Sequence, residues 1–122
     1  MKIRAAVLDG VGKEFRVAEL DLDTPKSGEI MVKVAASGLC ASDLNAIDGK
    51  RKLVPFPAVI GHEASGVVTE VGPDVKGIQV GDRLQLIPGY ADLTVALHNQ
   101  FYAFRGGKLV NVIPVEGRGL LT

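Results

Sequence analysis

Glycine and proline interrupt this chain too often for long helices to form. Fifteen glycines and six prolines punctuate 122 residues, and the apolar runs between them are short. Proline removes a backbone donor and clashes inside a helix, and glycine favours turns. Short β-prone runs between frequent turns are the texture of a mainly β domain. The length suits one domain, taken as residues 1–122, and a hydrophobic content of 47% is enough to bury a core.

Taken in order, Lys2 to Leu8 and Phe15 to Asp21 predict a hairpin across Asp9-Gly10-Val11-Gly12. Glu29 to Ser37 is the clearest strand, with Ile30, Val32, Val34 and Ala36 on one face and Met31, Lys33 and Ala35 on the other. Gly38 breaks it. A helical turn follows over Ser42 to Ile47, with Ser42 as its N-cap and Gly49 as its end. Cys40 therefore falls in a strand-to-helix corner. Pro55 and Pro57 make Leu53 to Ile60 an extended loop. Strands are expected at Ala64 to Val71, Arg83 to Ile87, Leu93 to Leu97, Phe101 to Phe104 and Leu109 to Val115, with Arg105 to Lys108 as a joint. Roughly eight to ten short strands and one or two helical turns result. An antiparallel barrel packs such strands without exposed edges.

Charge and cysteine content narrow the function classes. Fourteen basic and fourteen acidic residues cancel, so neither nucleic acid nor an anionic membrane is an expected partner. The basic run Lys50-Arg51-Lys52 reads as a solvated turn. No apolar run approaches the ~20 residues of a membrane span. A single cysteine cannot form an internal disulfide and fits a reducing compartment. Met1 to Leu8 holds no apolar stretch of signal-peptide length. A cytoplasmic protein is expected.

The chemistry-bearing groups lie in two segments, Gly38-Leu39-Cys40-Ala41-Ser42-Asp43 and Gly61-His62-Glu63-Ala64-Ser65-Gly66. A thiol, an imidazole and carboxylates are zinc-binding groups. Cys40 and His62 stand 22 positions apart, too far for a local finger. Such ligands come from separate segments, as in catalytic zinc sites with an open position. On the residues alone two readings stand: a zinc site, or a buried free cysteine beside an unrelated loop histidine.

The run Gly61-His62-Glu63, then Gly66, Gly72 and Val75, resembles the signature of zinc-containing medium-chain alcohol dehydrogenases. Gly38-x-Cys40-x-Ser42-Asp43 is similar to that family's first zinc-ligand segment, and Val80 to Leu84 to the turn and strand that follow. The resemblance covers roughly Met1 to Phe104 and implies a GroES-like β-barrel. It implies Cys40 and His62 as zinc ligands and Glu63 as a carboxylate able to approach the metal. It implies Asp43 as the hydrogen-bond partner that fixes the His62 tautomer, and Ser42 as the hydroxyl that relays the substrate proton. Zinc in such a site acts as a Lewis acid on an alcohol oxygen. Gly66 and Gly72 are expected to serve close backbone approach or tight turns.

The chain departs from the family pattern in three ways. No second cysteine completes a two-cysteine, one-histidine ligand set. No structural-zinc lobe of four cysteines is present. No Gly-x-Gly-x-x-Gly follows a strand, so NAD(P) is not expected to bind this chain alone. Lys108 to Pro114 and Arg118 to Thr122 resemble the strands that close the family's barrel after the cofactor domain, which makes residues 105–108 the junction replacing that domain. His98 fits a solvated loop better than it fits a substitute ligand. The first expectation is an isolated catalytic-type domain with a partial zinc site, room for a small alcohol or carbonyl ligand, and no dehydrogenase activity on its own. The alternative is a structural barrel that self-associates through a former domain interface. A metal-dependent hydrolase using Glu63 as base is a third reading that nothing in the sequence selects.

Overall fold

The computed structural model of the chain describes residues 1–50, 55–61, 63–87 and 99–115, which fall into two units. The first takes in Met1–Asp23 and Leu39–Gly61, the second Thr24–Gly38 and the described part of His62–Arg118.

In the first unit, β1 (Lys2–Leu8) and β2 (Phe15–Asp21) form an antiparallel hairpin, in register from Lys2 opposite Asp21 to Leu8 opposite Phe15. Its loop is closed by an exposed ion pair, Arg16 Nε to Asp9 Oδ2 at 2.6 Å. That bond holds the Asp9 carboxyl below its usual range and the Arg16 guanidinium above its own. The Gly12 N–H donates to the carbonyl of Ile47 at 2.8 Å, tying the loop to the end of helix α1 (Ala41–Ile47). Leu8 and Ala58 exchange two backbone hydrogen bonds of 2.8 and 2.9 Å, so the proline-containing loop is pinned to β1. Val7, Leu8, Ala46 and Ala58 are the buried apolar residues of this unit among those described.

The second unit carries an antiparallel sheet in the order β3 (Ile30–Gly38), β4 (Glu63–Val71), β5 (Arg83–Ile87), β6 (Asn99–Arg105) and β7 (Lys108–Val115). Among the described residues the ladders run as an open series with β3 and β7 at its ends. The mainly β class, the hairpin and the short helix agree with the sequence reading. The strand expected at Leu93 to Leu97 lies outside the described residues, as do His98, Arg51-Lys52 and Arg118 to Thr122.

Val68, Ile78, Leu84 and Ala103 make the core of this sheet, with Ile30, Val32, Val71 and Val75 packed against them. Fully burying an aliphatic side chain of this size contributes about 1.5–3 kcal/mol. Val34, which alternation places on one face with Ile30 and Val32, is 55% exposed while those two pack against the core. Its cross-strand partner is Gly66, which has no side chain to cover it. Gly66 is required there, because a Cβ would run into the carbonyl oxygen of Lys33 and lie 2.7 Å from Val32 Cγ1. Gly72 likewise lies against the carbonyl of Lys26. Both glycines serve close backbone approach.

Residues Arg105 to Lys108, read from the sequence as a joint, form the turn between β6 and β7. Arg105 pairs with Lys108, and Gly106 and Gly107 have φ of 56° and 76°. Positive φ at both central residues is what a tight type I′ hairpin demands.

Candidate metal centre

The cysteine corner begins where β3 stops. Gly38 is the last residue of β3 and Ala41 the first of α1, leaving Leu39 and Cys40 to make the turn. Cys40 is the N-cap, with extended backbone at φ −116° and ψ 161°. Ser42, predicted as the cap, is two residues further in, within the first turn, and half-buried. The reason is Asp43. Standing three residues beyond Cys40, its Oδ2 accepts the Cys40 N–H at 3.0 Å, while the Asp43 N–H donates to the Cys40 carbonyl at 3.0 Å. The helix thus starts directly behind the thiol, and a carboxylate in the first turn suits the helix N-terminus.

Asp43 is 4% exposed, so its carboxylate is a fixed part of the corner. The Cys40 thiol is free and half-buried, a state in which a cysteine can be reached by a ligand yet stays on a rigid support. The structure therefore groups Cys40, Ser42 and Asp43 on one short segment.

Glu63 opens β4 directly opposite Gly38, and is half-buried. It follows Gly61, whose φ of 133° lies in the region that favours glycine. His62 lies outside the described residues. Among the described residues, no three His, Cys, Asp or Glu side chains come together as a metal-holding group. The chemistry of the donors Cys40, His62 and Glu63 nevertheless fits zinc, which takes thiolate, neutral imidazole and carboxylate.

A second polar constellation escaped the sequence reading. Asp82, read only as a turn residue, is 1% exposed. Arg105 clasps it through two hydrogen bonds, Nε to Oδ1 at 2.8 Å and Nη2 to Oδ2 at 2.9 Å, and the Gln79 N–H donates to Oδ2 at 3.0 Å. The guanidinium beside Asp82 holds its carboxyl below the usual range against the opposing effect of burial. Arg105 is correspondingly raised. Backbone bonds from Val68 N–H to Asp82 O and from Gly81 N–H to Val68 O fasten the same turn to β4. The signal available in the sequence was a lone aspartate after Gly81, with its partner 23 residues away.

Fold and site together define a mainly β domain with a thiol held at a strand-to-helix corner. Residues 26–116 match the alcohol dehydrogenase GroES-like domain, and the chain belongs to that family. It is 51% identical over 85 residues to an NDMA-dependent alcohol dehydrogenase of Amycolatopsis methanolica, covering 69% of this chain and 22% of that protein. It is 37% identical to an S-(hydroxymethyl)glutathione dehydrogenase of Escherichia coli O6:H1, covering 99% of this chain and 32% of that one. Among solved structures, benzyl alcohol dehydrogenase from Acinetobacter calcoaceticus superposes with a TM-score of 0.66 at 41% identity, over 75% of this chain and 24% of that chain. The chain thus spans between a fifth and a third of the length of these relatives. No helix among the described residues is long and apolar enough to cross a membrane.

Proposed function

We propose that this chain is the catalytic-type domain of a zinc-dependent alcohol dehydrogenase, and that Cys40, His62 and Glu63 hold one zinc ion. The observation that carries the reading is the corner itself: a half-buried free thiol whose backbone N–H is fixed by the buried carboxylate of Asp43. Zinc, when bound, supplies Lewis acidity toward an alcohol or carbonyl oxygen. Asp43 orients His62 and fixes its tautomer. Ser42 accepts the substrate hydroxyl proton and passes it outward. The substrate class is a small alcohol or its carbonyl product.

Hydride transfer also needs an oriented nicotinamide. We propose that residues 1–122 on their own, which hold no Gly-x-Gly-x-x-Gly motif after a strand, neither bind NAD(P) nor turn over alcohol.

A second reading is favoured by the apolar side chains left on the surface. Val34, Leu39, Leu44 and Val67 are each exposed, and exposed apolar side chains are available for contact with another chain. On this reading the domain self-associates and its metal site is vestigial. Elemental analysis with an NADH titration on the same sample separates the two. Expected are about one zinc per chain, lost in Cys40→Ala, and no NADH binding. A fully metal-free chain that folds equally well and sediments as an oligomer would overturn the first reading in favour of the second.

A further inference from the structure

We infer that Gly38 is a positioning residue for the Glu63 carboxylate, its missing side chain forming the seat in which that carboxylate rests. The two residues are cross-strand partners at the end of the β3–β4 ladder. Gly38 is not among the glycines with positive φ, so its backbone is open to any residue and conformational freedom does not explain the glycine. Space does. A Cβ built on Gly38 would run into Glu63 Oε2, and would lie 3.2 Å from Glu63 Cβ and 3.4 Å from Cδ.

Gly66 on the neighbouring strand gives the contrast. There the nearest obstacle is the backbone of Lys33, which cannot yield, so glycine serves strand packing. At Gly38 the three nearest atoms all belong to one side chain, and the nearest of them is a carboxylate oxygen. Adding a methyl group leaves the strand able to form but forces that oxygen elsewhere. A carboxylate that approaches a metal contributes only if it is held where the metal needs it. Gly38 therefore acts on the metal through Glu63. This consequence rests on the zinc reading above, whereas the seat itself does not.

The test is a cobalt(II) titration, followed by absorption, of the chain and its Gly38→Ala, Glu63→Ala and doubly substituted forms, with denaturation midpoints on each. Expected is an affinity loss of about tenfold for Gly38→Ala. A comparable loss is expected for Glu63→Ala, with the double variant within about twofold of Glu63→Ala alone. The Gly38→Ala midpoint should fall when Glu63 is present and not when it is alanine. An unchanged affinity in Gly38→Ala while Glu63→Ala weakens binding overturns the inference, as does an equal affinity loss in both backgrounds. If the unsubstituted chain takes up no cobalt, the zinc reading fails. The midpoints then decide the seat: a Gly38→Ala loss that depends on Glu63 upholds it, and one that does not overturns it.

Discussion

Asp43 and Asp82 are both buried carboxylates, and they serve the molecule in opposite ways. Asp82 reaches far along the chain: it takes two hydrogen bonds from Arg105 and one from the Gln79 backbone. It thereby fastens the turn before β5 to the end of β6. Asp43 includes a local bond among its interactions, accepting the N–H of a residue three positions earlier. That residue is the cysteine. Burial of a charge requires partners in both places. The identity of the partner separates a group that holds the sheet together from one that shapes the corner carrying the thiol.

Substitution should expose this difference, with the larger effect at Asp82. In Asp82→Asn the charge facing Arg105 is lost, and one oxygen becomes an NH2 group that meets an N–H donor. A loss of about 2 kcal/mol in unfolding free energy is expected from denaturant melts at neutral pH. The folded-state carboxyl is depressed, so its contribution is fully present above the unfolded value of about 3.9. It is lost as pH falls through the lower folded value. The gap between Asp82→Asn and the unsubstituted chain should therefore close below about pH 4. A gap that persists unchanged into strong acid would show that the ion pair is not its source.

The smaller effect belongs to Asp43. Asparagine keeps an oxygen to accept the Cys40 N–H, so Asp43→Asn should preserve the helix start and lower the denaturation midpoint less than Asp82→Asn does. The loss should appear in zinc affinity, at about tenfold or ~1.4 kcal/mol, read by competition with a chelating dye. If Asp43→Asn instead lowers stability as much as Asp82→Asn with no change in zinc affinity, the contrast between the two carboxylates collapses.

Much of the fold was legible because turns are punctuated by glycine and proline, and strands by alternating apolar residues. The hairpin, β4, β5 and the cysteine corner follow from that pattern. What was not legible depends on register. Gly38 faces Glu63 in the register that Ile30 and Val71 begin, the two shifts along β3 and β4 cancelling before the ladder ends, and periodicity within one strand does not say which residue of another lies opposite. The exposure of Val34 has the same origin, since it follows from which residue lies across the strand. The true N-cap was hidden by ordinary preference: serine is the better cap, but Asp43 placed the helix start at Cys40. The Asp82–Arg105 clasp was invisible because its partners are 23 residues apart and joined only by folding. His62, the residue with the clearest motif, lies outside the described residues, so its relation to the corner rests on the family pattern and on experiment.

X-ray absorption at the zinc edge of the zinc-loaded chain tests that relation most directly. Expected is one sulfur neighbour at about 2.3 Å, with nitrogen and oxygen neighbours at about 2.0–2.2 Å, and loss of the sulfur shell in Cys40→Ala. A shell of oxygen alone, unchanged by Cys40→Ala, would contradict a zinc site built on the cysteine corner.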